Sequence, residues 1–349
     1  MIHWEDMMTK HTTYTGLVAA ALIAVSGHVY AADFNFNLQS FLPAQSTIPS
    51  KIIDVWADNI EEGSGGRIEI TRYPSMQLGG KPPELIDQVI DGVIDITWNV
   101  IGYTPGRFPS TEVFELPFLV NDAKPASAAF WTMMEEDIAA REFSDVKVLG
   151  SWVHGPGVIH SNREVTTPSD FNGMKIRGAS RQVNALLNTL GATPVGMPVP
   201  AVPEALSKGV VDGTTIPWEV TRALKVPELV ENHTEFTGPM MYTVTFVLAM
   251  NKDKYASLPD DLKAVIDDNS GLSFSMFAGE VQQSFDDPAR EIALDRGNNV
   301  VTLDAAQSQV WADAAAPVYD TWLAEMSEKG IDGQALIDRA KALMAEYEN

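Results

Sequence analysis

The chain has 349 residues, 45% hydrophobic and 20% charged, a composition that supports a buried core and argues against a disordered or membrane-embedded chain. Its 47 acidic against 24 basic residues give a formal net charge of −23, which disfavours nucleic acid and anionic lipid as partners and requires any anion site to concentrate positive charge locally. With no cysteine there is no disulfide, thiolate metal site or cysteine nucleophile, and the length sets an expectation of about two domains.

Residues 16–25 (GLVAAALIAV) form a short apolar run, preceded by Lys10 and followed by Val29-Tyr30-Ala31, a small-x-Ala cleavage pattern. The run is half of the roughly 20 apolar residues that an anchor needs, so residues 1–31 are expected to be a signal peptide that directs the chain to the periplasm. Glu5 and Asp6 sit poorly in such a leader, and initiation at Met7 or Met8 fits it better. No later run reaches spanning length, so no direct membrane insertion is expected.

From Ala32 onward, short alternating or apolar runs alternate with longer amphipathic ones, the pattern of an α/β protein. Strands are expected at 34–40, 67–73 and 94–98. Between them lie a helix that starts near Ser46 or Thr47 and stops at Gly63 and Gly65-Gly66, and a second helix over 83–92. This βαβαβ order implies parallel pairing. After an acidic helix around 128–140, strands at 146–153 and 158–161 flank His154-Gly155-Pro156-Gly157, a candidate crossover between lobes.

A second series follows: a strand at 175–177, a helix from Ser180, a strand at 193–197, a helix over 203–208 and a strand at 214–217. The β-rich run 242–250 is placed to return the chain to the first lobe. Beyond Leu258 the sequence reads as mostly helical, and 259–295 is long for one helix, with Pro288 placed to bend it. The expected organisation is a two-lobed α/β fold with a hinge. Residues 32–155 start lobe 1, 156–241 build lobe 2, and 242–349 return to lobe 1 and add a long connecting helix and C-terminal helices shared between lobes.

Catalytic signatures are missing. There is no G-x-S-x-G, GxGxxG or HExxH, and Gly79-Gly80-Lys81 is followed by Pro82 where a P-loop needs Ser or Thr. His154, His160 and His233 read as satisfied structural histidines, and the abundant carboxylates single out no pair. No catalytic residue and no cofactor are expected.

Four stretches carry a resemblance: 73–80 (YPSMQLGG) with Gly92-Val93-Ile94-Asp95, 115–118 (ELPF), 161–178 (SNREVTTPSDFNGMKIRG), and 209–213 (GVVDG) with Pro217 close behind. In this order and spacing the chain resembles the extracytoplasmic solute receptors of tripartite ATP-independent periplasmic (TRAP) transporters, the DctP-like dicarboxylate-receptor family. The resemblance implies a two-lobed periplasmic binding protein fold closing over one ligand, with a long helix crossing both lobes. It also implies that the arginine of K-I-R, Arg177, pairs with a ligand carboxylate, and that the arginine of S-N-R, Arg163, lies where sialic acid receptors have a second one. A guanidinium suits a carboxylate because two parallel hydrogen bonds fix orientation as well as affinity. The alternative for both arginines is pairing with surface acids such as Glu164 and Asp170. Ile216 and Val199 stand where sialic acid receptors have Asn and Phe, which argues against sialic acid. Glu219 is a candidate metal ligand by the same resemblance; no other metal residue is expected.

Trp98 ends a predicted parallel strand and Asn99 follows it, where open α/β sheets place ligands. Trp152 precedes the Gly-Pro crossover and Trp218 follows Pro217, and these tryptophans suit a flat or apolar ligand body, with core packing as the alternative for each. Tyr103, Arg107 and Phe108 belong to a loop that could reach the same cleft. The expected function is capture of a small organic carboxylate, with an aromatic or other compact monocarboxylate among the candidates, and its delivery to the small and large membrane subunits of a TRAP permease. A sensor subunit presenting the ligand to a signalling receptor is the alternative, and a secreted hydrolase a more remote one.

Overall fold

The computed structural model describes residues 32–348, so the expected signal peptide lies outside the described residues. Two sheets organise the chain. The first has the order β2-β1-β3-β10-β4, from β1 (Phe34–Gln39), β2 (Ile68–Tyr73), β3 (Ile96–Val100), β4 (Val146–Val153) and β10 (Thr245–Asn251). β1 pairs in parallel with β2 and β3, as the βαβαβ order predicts, while β10 lies antiparallel between β3 and β4. In β1 the side chains alternate, with Phe36 and Leu38 buried and Asn35 and Asn37 exposed; β3 and β10 are buried throughout and are correspondingly apolar.

The second sheet has the order β11-β9-β5-β8-β6-β7, from β5 (Gly157–Ser161), β6 (Lys175–Gly178), β7 (Thr193–Gly196), β8 (Gly213–Pro217), β9 (Asn232–Phe236) and β11 (Asn299–Leu303). β6 pairs in parallel with β7 and β8, which brings their carboxyl ends to one edge. Strands β9 and β11 are not foreseen in the sequence analysis. NHTEF is polar without clear alternation, and NVVTL sits inside a stretch read as helical.

Three connections join the sheets. Residues 154–156 link β4 to β5, and residues 237–244 link β9 back to β10. The two crossings are tied together: Gly157 N–H donates to Tyr242 O (3.1 Å) and the Thr243 hydroxyl donates to His154 O (2.8 Å). The third is helical, though not one long rod. The stretch from Pro259 divides into helices Asp260–Asp268, Gly271–Ser284 and Asp286–Asp295. The last break falls at Phe285 because Pro288 has no N–H for the Ser284 carbonyl and its ring crowds that group. Gly271–Ser284 packs on β4 and on the helix Ala123–Met133, and Asp286–Asp295 packs on β11 and on the helix Trp218–Leu224. Among the described residues no helix is long and apolar enough to cross a membrane.

The glycines at the first crossing are there for space. A Cβ on Gly157 would lie 2.0 Å from Cε1 of Tyr242, and one on Gly155 would lie 2.1 Å from Oδ2 of Asp286. Gly157→Ala is therefore expected to destabilise the fold by about 1–3 kcal/mol through overpacking. Chemical denaturation checks this, and an unchanged midpoint would show that the Tyr242 ring is not fixed against the crossing.

Candidate ligand-binding site

At the carboxyl edge of β6, β7 and β8 lies a cavity. Both sheets and both crossings contribute to its wall. Trp98, Val100, Tyr103 and Phe246 come from the side of the first sheet, Arg177, Ala179, Val199, Ile216 and Glu219 from the side of the second, and His154, Tyr242 and Val244 from the crossings. Gln282 reaches it from the helix Gly271–Ser284.

Arg177 sits on β6 opposite Val195 of β7 and Thr214 of β8, and it is 1% exposed. Its Nε donates to Met197 O (2.9 Å) and its Nη1 to Thr215 O (3.2 Å), so two carbonyls past or on the neighbouring strands hold the guanidinium plane. Nη2 has no hydrogen-bond partner, and no carboxylate among the described residues forms an ion pair with this arginine. A buried cation without a countercharge costs several kcal/mol unless an anion completes it. The rest of the wall is mostly apolar. Burial raises the pKa of Tyr103 and Tyr242, with Arg177 drawing both partly back, so these rings stay neutral. Tyr103 also accepts a hydrogen bond from Val199 N–H (2.9 Å).

Trp98 lines the cavity, its ring centroid 4.3 Å from that of Phe41, and its Nε1 has no partner. Glu219 is 3% exposed, and burial pushes its carboxyl up to about 7 against the pull of Thr47 and Gln282. No cluster of three His, Cys, Asp or Glu side chains suited to a metal ion occurs among the described residues.

Several residues expected at the cavity lie elsewhere. Arg163 is exposed, and its Nη2 donates to Asp170 O (2.7 Å) and Asn172 O (3.1 Å), so it braces its own loop rather than pairing with the side chains of neighbouring acids. Asn99 is buried and committed to Pro82 O (3.0 Å) and Val100 N–H (2.9 Å). Trp152 stacks on Phe246 (5.2 Å) and donates to Gln282 Oε1 (2.9 Å), one residue behind the wall. Trp218 donates to Glu235 (2.6 Å) and packs on His160 and His233. Arg107 pairs with Asp87, and Phe108 stacks on Phe143. Conversely, Phe41, Tyr242, Phe246 and Gln282 line the cavity without having been singled out. Tyr242 and Phe246 fall in the returning run, and only their place at a lobe crossing could have marked them.

The histidines are satisfied as neutral rings. Asn298 Nδ2 lies 3.0 Å from His233 Nε2, His233 Nδ1 lies 2.7 Å from His160 Nδ1, and His160 Nε2 lies 3.2 Å from Ile216 O. This chain runs donor to acceptor only if each ring carries one proton; a second would set two N–H groups face to face. Burial lowers all three histidines: His154 and His233 to about 4, His160 well below its usual value. Their contribution to stability is complete above the unfolded value of 6.5 and declines as pH falls toward 4. Glu115 and Glu219, raised to about 7, act in the opposite sense: their contribution is complete below 4.5 and declines as pH rises toward 7. In heteronuclear NMR the ring resonances of His154 and His233 are expected to titrate with midpoints near about 4. Midpoints near 6.5 would contradict the buried neutral arrangement.

A family model described as "Bacterial extracellular solute-binding protein, family 7" (DctP) matches residues 39–326. Among solved structures, a TRAP solute-binding protein from Rhodoferax ferrireducens in complex with copurified benzoate is 46% identical and has a TM-score of 0.88, covering 90% of this chain and 98% of its own. A marine metagenome TRAP solute-binding protein specific for aromatic acid ligands, with 3-hydroxybenzoate, is 42% identical with a TM-score of 0.88, covering 90% and 99%. The C4-dicarboxylate-binding periplasmic protein DctP of Rhodobacter capsulatus is 27% identical over 82% of this chain and 84% of its own length. The α/β architecture with two sheets matches these two-lobed binding proteins, and the family is one of solute carriers rather than enzymes. The chain belongs to the extracellular solute-binding proteins of family 7, the DctP-type receptors of TRAP transporters.

Proposed function

We propose that this receptor captures a compact aromatic monocarboxylate between its lobes and delivers it to the small and large membrane subunits of a TRAP permease in the periplasmic space. One observation carries the reading: a buried guanidinium whose Nη2 has no partner and whose charge has no counterion, on the wall of a cavity lined mostly by rings and aliphatic groups. A carboxylate set against Nη1 and Nη2 supplies the missing charge and accepts two hydrogen bonds in one plane. Trp98, Phe41, Tyr103 and Phe246 offer faces to an aromatic ring, which finds offset or edge-on partners there. The aromatic acids bound by the two similar receptors support the same ligand class.

In this reading residues 32–155 and 242–349 form the first lobe with the shared helices, and 156–241 the second. The lobes close because the ligand touches both and so binds the closed form better. Periplasmic residence, with residues 1–31 removed, belongs to the same proposal.

Arg177→Met is expected to raise the Kd for benzoate at least about 100-fold in titration calorimetry, since truncating one partner of a buried charge pair costs 2–5 kcal/mol or more. Arg163→Gln is expected to leave it unchanged within about twofold, as an exposed side chain outside the cavity should. Retained affinity in the Arg177 variant would remove the clamp from the account.

A further inference from the structure

The cavity holds a second polar group whose valence the protein leaves open, on the same wall as the helix Trp218–Leu224. Glu219 is fixed from behind. Its backbone N–H donates to Asp286 Oδ1 (2.7 Å), and its Oε2 accepts from Gln282 Nε2 (3.2 Å). Gln282 cannot turn its oxygen toward Glu219, because that oxygen already accepts from Trp152 Nε1 (2.9 Å). The remaining oxygen, Oε1, is buried and makes no hydrogen bond of normal geometry, with the Thr47 side chain the other polar group near the carboxyl. A buried carboxyl oxygen left unpaired is costly, and such an atom in a native fold calls for a partner outside the chain. Glu219 also borders the outer recess formed by Thr47, Ser50, Lys51, Arg222 and Phe285, so it stands between the cavity and its surroundings.

We propose that Glu219 Oε1 is the second anchor of the ligand, pairing with a hydroxyl that the ligand carries away from its carboxylate, so that hydroxy-substituted aromatic acids are preferred over unsubstituted ones. This rests on the reading of the cavity as an aromatic carboxylate site. A hydroxyl fits better than other polar substituents for a chemical reason. An ionised carboxyl oxygen needs a donor, and a protonated one needs an acceptor. An ammonium can only donate and an ether can only accept, whereas a hydroxyl does either and is paired in both states. A site built to hydrogen-bond a hydroxyl discriminates strongly against the analogue lacking it, because its own polar group is then left unpaired.

The test is a calorimetric comparison of benzoate, the 3- and 4-hydroxybenzoates and their methyl ethers on the wild-type protein and on Glu219→Gln. The wild type is expected to bind one hydroxybenzoate at least about tenfold more tightly than benzoate and than its own methyl ether. In Glu219→Gln the amide can accept from Gln282 only by presenting N–H groups to the cavity, to which a hydroxyl and an ether oxygen bond alike. The preference for the hydroxybenzoate over its methyl ether is expected to fall to about threefold or less. Equal affinities for the three ligands in the wild type, or an undiminished preference in the folded variant, would overturn the proposal. The wild-type comparison decides even if the variant fails to fold. Failure of the carboxylate reading looks different: benzoate itself would bind without dependence on Arg177.

Discussion

One uncompensated charge organises this molecule. Arg177 is fixed by Met197 O and Thr215 O, and no carboxylate among the described residues forms an ion pair with it. Replacing it with a neutral side chain would relieve a buried charge that costs several kcal/mol, so its presence is a debt carried by the rest of the core. The chain bears a net charge of −23, and at long range that repels anions. Physiological salt screens such repulsion beyond about 8 Å, so in the proposed function selection of an anion falls to the contact itself.

The surrounding architecture serves that contact. β6 lies between β7 and β8, so the carbonyls that hold the guanidinium come from just past one flanking strand and from within the other. The opposite wall comes from the other sheet, and the crossings are part of the cavity rather than remote from it. Tyr242 lines the cavity and lies against Gly157 of the crossing, while Gln282 belongs to the helical connection and orients Glu219. Asp286, at the start of the next helix, holds the Glu219 backbone, and burial keeps its own carboxyl well above the usual range. A ligand touching these residues therefore touches the joints between the sheets.

Much of the fold was legible because its signals were local. The alternation in β1 and β2, the glycine and proline punctuation at 154–157, and Pro288 all act through neighbouring residues. Arg177 could be singled out by the resemblance of K-I-R to the receptor family, and the glycines after it and in β8 leave room around the strand. The tryptophans show where sequence reasoning stops. Trp98, Trp152 and Trp218 all lie near strand ends or crossings, but only Trp98 reaches the cavity. The other two find hydrogen-bond partners in Gln282 and Glu235, which lie far away in sequence. Asn99 alternates away from the cavity side of β3, and Arg163 is drawn to two loop carbonyls created by the turn at 168–172. Strands β9 and β11 pair with each other across more than sixty residues, and nothing local announces that pairing.

The most direct test is a crystal structure of the protein with benzoate. The account predicts both carboxylate oxygens about 2.7–2.9 Å from Nη1 and Nη2 of Arg177, with the ring among Trp98, Tyr103 and Phe246. A benzoate bound with its carboxylate away from Arg177, and Nη2 still without an acceptor, would contradict it.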